Sequence, residues 1–388
     1  MGVEDQVPQE RRRPVPGKGH RKSRKGCTSC KARRVKCSEE LPTCRACRRL
    51  RLDCQYQLAL PPAPTKSLSN SPPTLSFEDL RFFHYFLIAA HPKLPFSSTN
   101  VWQDVAAMSH EYTFLAHACL GLAAQRLTAS TSTDYSMQAL NHRVQAIAAM
   151  NEALSTPGLS PADGDARLAA AIALTFQSTY MDDGMMEFIR MLRGWMIIQT
   201  TVVPSMTQSL FRGFTEDAYV DSMRELLVRR QANSSSEISI HQKLDDVLDD
   251  LDVSLHLAAP LCQSPGEVQY MLSLQSVSLT ARTSPHDACL ELVPLYAVTN
   301  EMGTDDFADF VSETNMVAQI LLAHFWMLSW VLGSHVLGPD HGFDLSESTV
   351  LRWAEGAAKR LPESYRKYVL WPLGMSSRQG LQDGGADA

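Results

Sequence analysis

The spacing of apolar residues changes at Leu75, where a long helical pattern begins. Ser76 is a candidate N-cap with Asp79 three positions later, and Leu75 can pack onto Leu80 as a hydrophobic staple. The segment LRFFHYFLIAAHP then continues as a helix until Pro92. These signals predict that a globular, helical body starts here.

Eight further blocks show helical spacing, whereas strand-like alternation is scarce and short. The blocks lie at about 101–127, 137–154, 162–200, 206–232, 239–257, 283–300, 306–338 and 346–360. Turn residues separate them, namely TASTSTD, Thr156-Pro157-Gly158, Asn233 with its serines, and Gly338-Pro339. The pattern predicts an all-α body of about ten helices.

One apolar run, residues 317–338, is long enough to test as a membrane span. It contains Gln319, His324, Ser329, Ser334 and His335, and it lies within an amphipathic region. A buried core helix is therefore the favoured interpretation, and no membrane partner is expected.

Composition divides the rest of the chain. We predict residues 1–25 as a disordered basic tail, 26–57 as a cysteine-rich domain, 58–74 as a Pro/Ser-rich linker, 75–375 as the all-α domain and 376–388 as a flexible C-terminal tail. Seven basic residues of the N-terminal tail suit a nuclear import signal: Arg11, Arg12, Arg13, Arg21, Lys22, Arg24 and Lys25.

Charge follows the same division. The 388 residues carry a net charge of −6, but residues 1–57 hold 16 Lys and Arg against 6 Asp and Glu. The remaining residues hold 20 basic and 36 acidic side chains. A basic N-terminal segment on an acidic body indicates that the segment binds a polyanion.

Six of the nine cysteines lie between Cys27 and Cys54. The N-terminus has no apolar segment typical of a secretory signal, so the cysteines are interpreted as metal ligands rather than disulfides. Their spacing is C-x2-C-x6-C-x6-C-x2-C-x6-C, and a shift of 17 residues superposes the second triplet on the first.

Three thiolates per half cannot complete a tetrahedral zinc site, which needs four ligands. Two zinc ions that share two bridging sulfurs satisfy both halves with six cysteines, and the metal would organise a segment too short to form a core alone. A redox site or a single-metal site is the alternative.

The two halves differ in charge. The 17-residue shift places Leu50 on Arg33 and Asp53 on Lys36, so the first half alone keeps an unbroken basic face. Arginine suits a helix that reads the major groove, because its planar fork binds both guanine O6 and N7.

The cysteine spacing, the basic first x6 segment and Pro42 resemble the fungal Zn2Cys6 binuclear cluster transcription factors. The resemblance implies two Zn2+ per chain, with Cys27 and Cys44 as the bridging ligands, double-stranded DNA as partner and the nucleus as location. It matches Arg33 and Arg34 to the positions that read a CGG-type triplet. The expected zinc ligands are Cys27, Cys30, Cys37, Cys44, Cys47 and Cys54, and the expected phosphate contacts are Lys31, Lys36, Arg45 and Arg48.

Several stretches of the body resemble the C-terminal region of the sterol uptake control branch of this superfamily. They lie at 75–95, 110–124, 176–195 and 361–372. The resemblance implies an all-α regulatory domain with an apolar ligand pocket, in a regulator of clustered biosynthetic (secondary metabolite) genes or, alternatively, of sterol uptake and biosynthesis genes. The predicted fold class is thus mostly α: a small zinc cluster, a disordered linker and a larger all-α regulatory domain.

Apolar clusters in the body allow two interpretations each. A methionine-rich segment could line a lipophilic pocket, but at helical spacing core packing is favoured, as it is for the pair Trp326 and Trp330. The methionine-rich segment contains Met181, Met185, Met186, Met191, Trp195 and Met196. Residues 241–257 form an amphipathic acidic helix, either a solvated surface helix or a coactivator contact.

An enzymatic body is the competing class of function. The chain has no G-x-S-x-G, no H-E-x-x-H and no phosphate-binding glycine loop, so no catalytic residues are predicted. The pairs His117 with Cys119 and His286 with Cys289 are interpreted as buried structural residues. Residues 55–74 are rich in proline and lack a heptad pattern, so a homodimer would form through the body rather than a coiled coil.

Overall fold

The computed structural model describes residues 26–40, 42–54, 76–92, 101–156, 160–203, 205–214, 238–338 and 345–379, together with residues 220, 221, 223–225 and 228. The chain divides into two compact units, residues 1–74 and 75–388. The predicted basic tail, the linker and most of the C-terminal tail lie outside the described residues.

The first unit contains two short helices, α1 (Thr28–Ala32) and α2 (Arg45–Leu50). Each is followed by a residue in the left-handed region, Arg34 with φ 54° and Arg51 with φ 50°. The next amide then donates back to the first turn, Val35 N to Cys30 O at 3.1 Å and Leu52 N to Cys47 O at 3.0 Å. The 17-residue sequence repeat is therefore also a repeat of backbone conformation.

The described part of the second unit is helical, with no strand among its described residues. Its α-helices are α3 (Phe77–Tyr85), which continues as a π-helical turn Phe86–Ala90, α4 (Val101–Met108), α5 (Thr113–Ser130), α6 (Ser136–Leu154), α7 (Pro161–Gln177), α8 (Gly184–Thr201), α9 (Ile238–Ala258), α10 (Pro265–Thr283), α11 (Pro285–Glu301), α12 (Thr304–Phe310), α13 (Met316–Leu337), α14 (Glu347–Arg360), α15 (Glu363–Arg366) and α16 (Leu370–Gln379). The predicted all-α class is confirmed.

The helix count exceeds the sequence-based figure partly because three predicted blocks are each divided. The block 101–127 breaks between α4 and α5. The block 162–200 breaks between α7 and α8, where Gly184 packs so closely that a Cβ would lie 1.8 Å from the carbonyl oxygen of Ser178. The block 306–338 breaks between α12 and α13, where Asn315 caps α13 by accepting from the amide of Ala318 at 2.9 Å.

Two helical regions, α10 and the segment from α15 to α16, are absent from the sequence-based blocks. Helix α10 begins at a capping box formed by Ser264 and Glu267, with Pro265 in its first turn. Helix α16 continues to Gln379, beyond the predicted boundary at residue 375, although Gly374 lies within it. Pro372 lies in its first turn, where proline is tolerated. Both regions carry start or stop signals in the sequence, but their apolar spacing is weak.

Two apolar clusters form the core of the body, one built mainly from α3 to α7 and the other from α8 to α16. Trp195 on α8 packs against both clusters. Met185 and Met186 are buried in the second cluster. The methionine-rich segment thus contributes to core packing, the favoured of the two interpretations.

Helix α13 is the apolar run 317–338 of the sequence, and its most apolar 18-residue window is 83% buried inside the body. Trp326 and Trp330 are both buried, and Trp326 contacts the rings of Phe188, Tyr296 and Trp353. The helix is long and apolar enough to cross a membrane, but its surroundings are those of a core helix.

Helix α9 contains the acidic segment 241–257. Four of its five leucines, Leu244, Leu248, Leu251 and Leu255, are buried in the core of the body, and Leu257 is exposed. Arg282 of α10 pairs with Asp249 at 2.8 Å and with Asp252 at 2.6 Å. A coactivator that needed the four buried leucines could not reach them in this fold, so the surface-helix interpretation is the better supported one.

His324 on α13 gives a stability prediction. Its Nε2 lies 2.8 Å from Ser254 Oγ, and burial lowers the pKa of His324 to about 4, although the carbonyl of Ile320 opposes this shift. As the pH falls, the unfolded chain, in which the histidine pKa is about 6.5, therefore takes up a proton on this side chain before the folded chain does. We expect the stabilisation to be complete above about pH 6.5 and to decline by about 3 kcal/mol as the pH falls to about 4.

Urea unfolding of the wild type and of His324→Gln across this pH range measures the effect. The other titrating groups are the same in both proteins, so the difference between the two curves isolates His324. Parallel curves for the two proteins would contradict the prediction.

Candidate zinc centre and nucleic-acid interface

The six cysteine sulfurs of the first unit converge, and five of the six residues are buried. The Sγ atom of Cys27 lies 3.8 Å from that of Cys44 and 3.6 Å from that of Cys47. The Sγ atoms of Cys30 and Cys44 are 3.7 Å apart. A tetrahedral zinc ion with Zn–S bonds of about 2.3 Å requires sulfurs about 3.8 Å apart, so these separations fit zinc.

The sulfurs form two groups of four, in each of which all members lie within 4.8 Å of one another. Cys27 and Cys44 belong to both groups; Cys30 and Cys37 complete the first, and Cys47 and Cys54 complete the second. Two tetrahedral sites that share two sulfurs need this arrangement. The donor set therefore fits two Zn2+, with Cys27 and Cys44 in the bridging positions that the family resemblance implies.

Backbone amides point at the sulfurs in a repeated pattern. Cys27 N donates to Cys37 Sγ at 3.5 Å, and Cys44 N donates to Cys54 Sγ at 3.3 Å, which is the same contact 17 residues later. Cys47 N donates to Cys44 Sγ at 3.4 Å and lowers the pKa of Cys44 to about 6. Such amides stabilise the thiolate form that a metal requires.

The basic residues of the first half are all exposed: Lys31, Arg33, Arg34 and Lys36. Within the part of the chain that the structure describes, none of these four side chains forms an ion pair. Helix α1 ends at Ala32, Arg33 is its C-cap and Arg34 lies beyond it with a left-handed backbone, so the two arginines lie at and just after the end of the helix.

The basic residues of the second half are partly neutralised. Glu40 accepts from Arg45 Nε at 2.7 Å and from an Arg48 side-chain nitrogen at 2.9 Å. Both arginines are exposed, but their nearest anion is this carboxylate. Glu40 was not singled out from the sequence, which gives no local signal for these two contacts. The structure therefore widens the charge difference between the two halves.

Two further residues connect the halves without carrying charge. Ser29 Oγ donates to the carbonyl oxygen of Asp53 at 2.5 Å, and Arg45 N donates to Ser38 Oγ at 2.9 Å. Neither serine was predicted from the sequence. They fix the loop before α2 and the end of the second half against the first.

The predicted nuclear import residues lie outside the described residues. The groups considered for catalysis lie in the body. His117 Nδ1 is 2.9 Å from His142 Nδ1, and His142 Nε2 is 3.1 Å from Asp79 Oδ1. Burial lowers the pKa of His117 and raises that of the fully buried Cys119 thiol. This chain of contacts connects α3, α5 and α6.

The comparisons with known proteins agree with the geometry of the first unit. Residues 25–62 match the family described as the fungal Zn(2)-Cys(6) binuclear cluster domain. The chain therefore carries a domain of this family, which binds two zinc ions. The sequence-based prediction of two zinc ions per chain is therefore confirmed.

Two kinds of relative were found. The Zn(2)-C6 fungal-type transcription factor afumD of Aspergillus fumigatus is 28% identical over 208 residues, which cover 47% of this chain and 56% of that protein. The sterol uptake control protein 2 of Candida albicans is 59% identical, and that of Saccharomyces cerevisiae 56%, but each over 39 residues, or 10% of this chain and 6% or 4% of the relative.

The chain thus spans about half the length of the first of these relatives. The matches to the sterol uptake control proteins are confined to the zinc-cluster segment, so they do not extend to the body. No solved structure matches the chain.

Proposed function

We propose that this chain is a sequence-specific DNA-binding transcription regulator of the RNA polymerase II type, which acts in the nucleus. The observation that carries the proposal is the zinc-type cysteine cluster with an exposed basic segment, Lys31–Lys36, held directly between two of its ligands. Zinc fixes the backbone of this segment, so the positive side chains are presented without a core of their own. Phosphate binding and base recognition both need such a rigid, cationic surface.

Within that surface, Arg33 and Arg34 are the proposed base readers of a CGG-like half-site. Lys31 and Lys36 are proposed to contact phosphates. Arg45 and Arg48 remain proposed phosphate contacts, but each would have to share its charge between DNA and Glu40. The first half of the cluster then reads the sequence, and the second half supports it.

The Arg34→Ala variant tests this division of roles. We expect it to reduce the preference for CGG-containing over random duplexes by about 1–3 kcal/mol, because a bidentate guanine contact is lost. The Lys36→Ala variant is expected to weaken binding equally on both duplexes and to reduce the salt dependence of binding. Fluorescence anisotropy at several salt concentrations measures both effects.

Arg49→Ala is the matched control, since Arg49 is exposed on α2 in the second half, where Ala32 is its counterpart in the first. Of the three variants, Arg49→Ala should change the preference for CGG-containing duplexes least. If Arg34→Ala and Lys36→Ala lose the same affinity on specific and random DNA, the assignment of Arg34 as a base reader is wrong.

The controlled genes are a separate proposal. We infer a clustered biosynthetic pathway from the resemblance of the body, with sterol uptake and biosynthesis genes as the alternative. Genome-wide occupancy of the tagged protein would distinguish them and would also report half-site spacing. A monomer predicts single half-sites, whereas a homodimer formed through the body predicts paired ones.

An apolar ligand in the body is proposed on the same resemblance alone. Because Met185 and Met186 are packed in the core, a ligand could not use that segment without rearrangement. Thermal unfolding of the full chain with sterols present tests this, and an unchanged midpoint at saturating sterol would remove the proposal.

A further inference from the structure

The outward face of α10 is apolar and uncharged. Val268, Leu272 and Leu279 are 41%, 60% and 69% exposed, and their spacing places all three on one side of the helix. Between Glu267, which is buried, and Arg282, no residue of α10 is charged. A surface helix of a soluble domain normally presents charged residues outward, so this face is unusual.

A shallow, open groove of about 620 Å³ lies along the first part of this face and does not extend to Leu279. Its lining residues are Gln263, Pro265, Val268, Gln269, Leu272, Ser273 and Ser276. Two of these residues, Ser273 and Ser276, are small, and beside Leu272 they leave room for the side chains of a docked element. The exposed apolar face from Val268 to Leu279 covers 12 residues, or about 16 Å of helix, which matches three turns of a partner helix.

The rim of the groove on the α11 side is acidic. Gln269 Nε2 donates to Glu301 Oε2 at 2.9 Å, and Ser276 Oγ donates to Glu291 Oε2 at 3.5 Å. Two lining residues are thus bonded directly to glutamates. Among the described residues, neither Glu291 nor Glu301 forms an ion pair with a basic side chain.

On the opposite flank, α9 supplies further acidic residues. Ser278 Oγ donates to Asp252 Oδ1 at 2.6 Å, and Arg282 pairs with both Asp249 and Asp252 near the end of α10. Asp245 and Asp246 are exposed one to two turns earlier on α9. The apolar face of α10 therefore lies between two negatively charged helices.

We propose that the α10 groove docks an amphipathic helix of a partner protein whose apolar stripe is flanked by lysine or arginine. The apolar floor would bury leucine-type anchors, and the acidic rims would pair with the basic flanks. A second copy of this chain is the poorer occupant, because its α10 face carries the same acidic rims and would be repelled. The proposal does not depend on DNA binding by the first unit.

A designed peptide tests the surface on the full-length chain. The probe is a fluorescein-labelled helix of roughly 16 residues with leucines at positions i, i+4 and i+11 and lysines on both flanks. Two control peptides are an isomer with scrambled leucine positions and a version with glutamate flanks. Anisotropy titrations are made with the wild type, Leu272→Ser, the double variant Glu291→Gln/Glu301→Gln and Met137→Ser.

Met137→Ser is the matched control, since Met137 is 67% exposed on α6, away from α10 in the chain. We expect Leu272→Ser to bind the probe at least about tenfold more weakly, and Met137→Ser to leave binding unchanged. The double glutamate variant should lose affinity mainly at low salt, and the glutamate-flanked peptide should bind at least about tenfold more weakly than the lysine-flanked one.

Leu272→Ser removes an exposed side chain, so its thermal unfolding midpoint should remain close to that of the wild type. Equal binding of the scrambled peptide, or an equal loss in Met137→Ser, would overturn the proposal. A wild-type dimer that Leu272→Ser converts to a monomer in sedimentation would also overturn it, because the face would then hold a second copy.

Discussion

Replacement of Cys44 by serine is expected to abolish binding of both zinc ions and to unfold the first unit. Cys44 belongs to both four-sulfur groups, so its loss leaves each group with three sulfurs. Cys54 belongs to one group, so Cys54→Ser should leave the other site complete. Zinc content per chain, measured by atomic absorption, is expected to fall from about two to near zero in the first variant and to about one in the second.

The expected effect on folding is large because the cluster is the core of this unit. Its buried apolar residues in the described segment are cysteines, with Ala46 and Cys54 packed against them. A structural zinc ion contributes about 10–16 kcal/mol to folding of such small domains. DNA affinity should therefore disappear with Cys44→Ser, and a strong chelator should have the same effect on the wild type.

Cys262→Ser provides the control, since Cys262 is a partly buried cysteine of the body. It should retain both zinc ions. If Cys44→Ser and Cys54→Ser lost the same amount of zinc, the bridging role of Cys44 would be contradicted.

Replacement of Arg143 by methionine is expected to destabilise the body by about 3–5 kcal/mol, the cost of removing one partner of a buried ion pair. Arg143 on α6 is 4% exposed and donates to Glu187 Oε1 on α8 at 2.8 Å. It also donates to Leu174 O at 2.8 Å and to Gln177 Oε1 at 3.2 Å, both on α7. One side chain thus satisfies acceptors on two other helices.

Chemical denaturation of the full chain, monitored by tryptophan fluorescence, measures the loss. Arg224→Met is the matched control, because Arg224 is 61% exposed and pairs with Asp221 at 3.1 Å on the surface. That exposed pair should contribute less than about 1 kcal/mol. A similar loss in both variants would show that the Arg143 contacts contribute no more than a surface ion pair.

The two capping boxes illustrate what local sequence predicts well. Ser76 with Asp79 was predicted and is present, with both hydrogen bonds formed. Ser264 with Glu267 uses the same chemistry, but α10 was not predicted, because its apolar residues lie on both its buried and its exposed sides. A helix whose outward face is apolar has a weak amphipathic pattern. The apolar outward face of α10, which is the proposed docking surface, is therefore also the reason that the helix was not predicted.

The sequence alone determined the zinc chemistry. Metal ligands must deliver four donors at short distances, and the six cysteines lie within one 28-residue stretch, so their spacing and number were sufficient to predict two ions that share sulfurs. It also determined the all-α class, because helical periodicity and caps are local properties.

Only the tertiary structure decided which charges are available and what each apolar face covers. Glu40 forms ion pairs with Arg45 and Arg48. Among the described residues, the basic side chains of the first half form none. Leu244, Leu248, Leu251 and Leu255 of α9 are buried, whereas Leu272 and Leu279 of α10 are exposed. Periodicity shows that a helix has an apolar face, but the packing of helices distant in sequence determines whether another helix covers it.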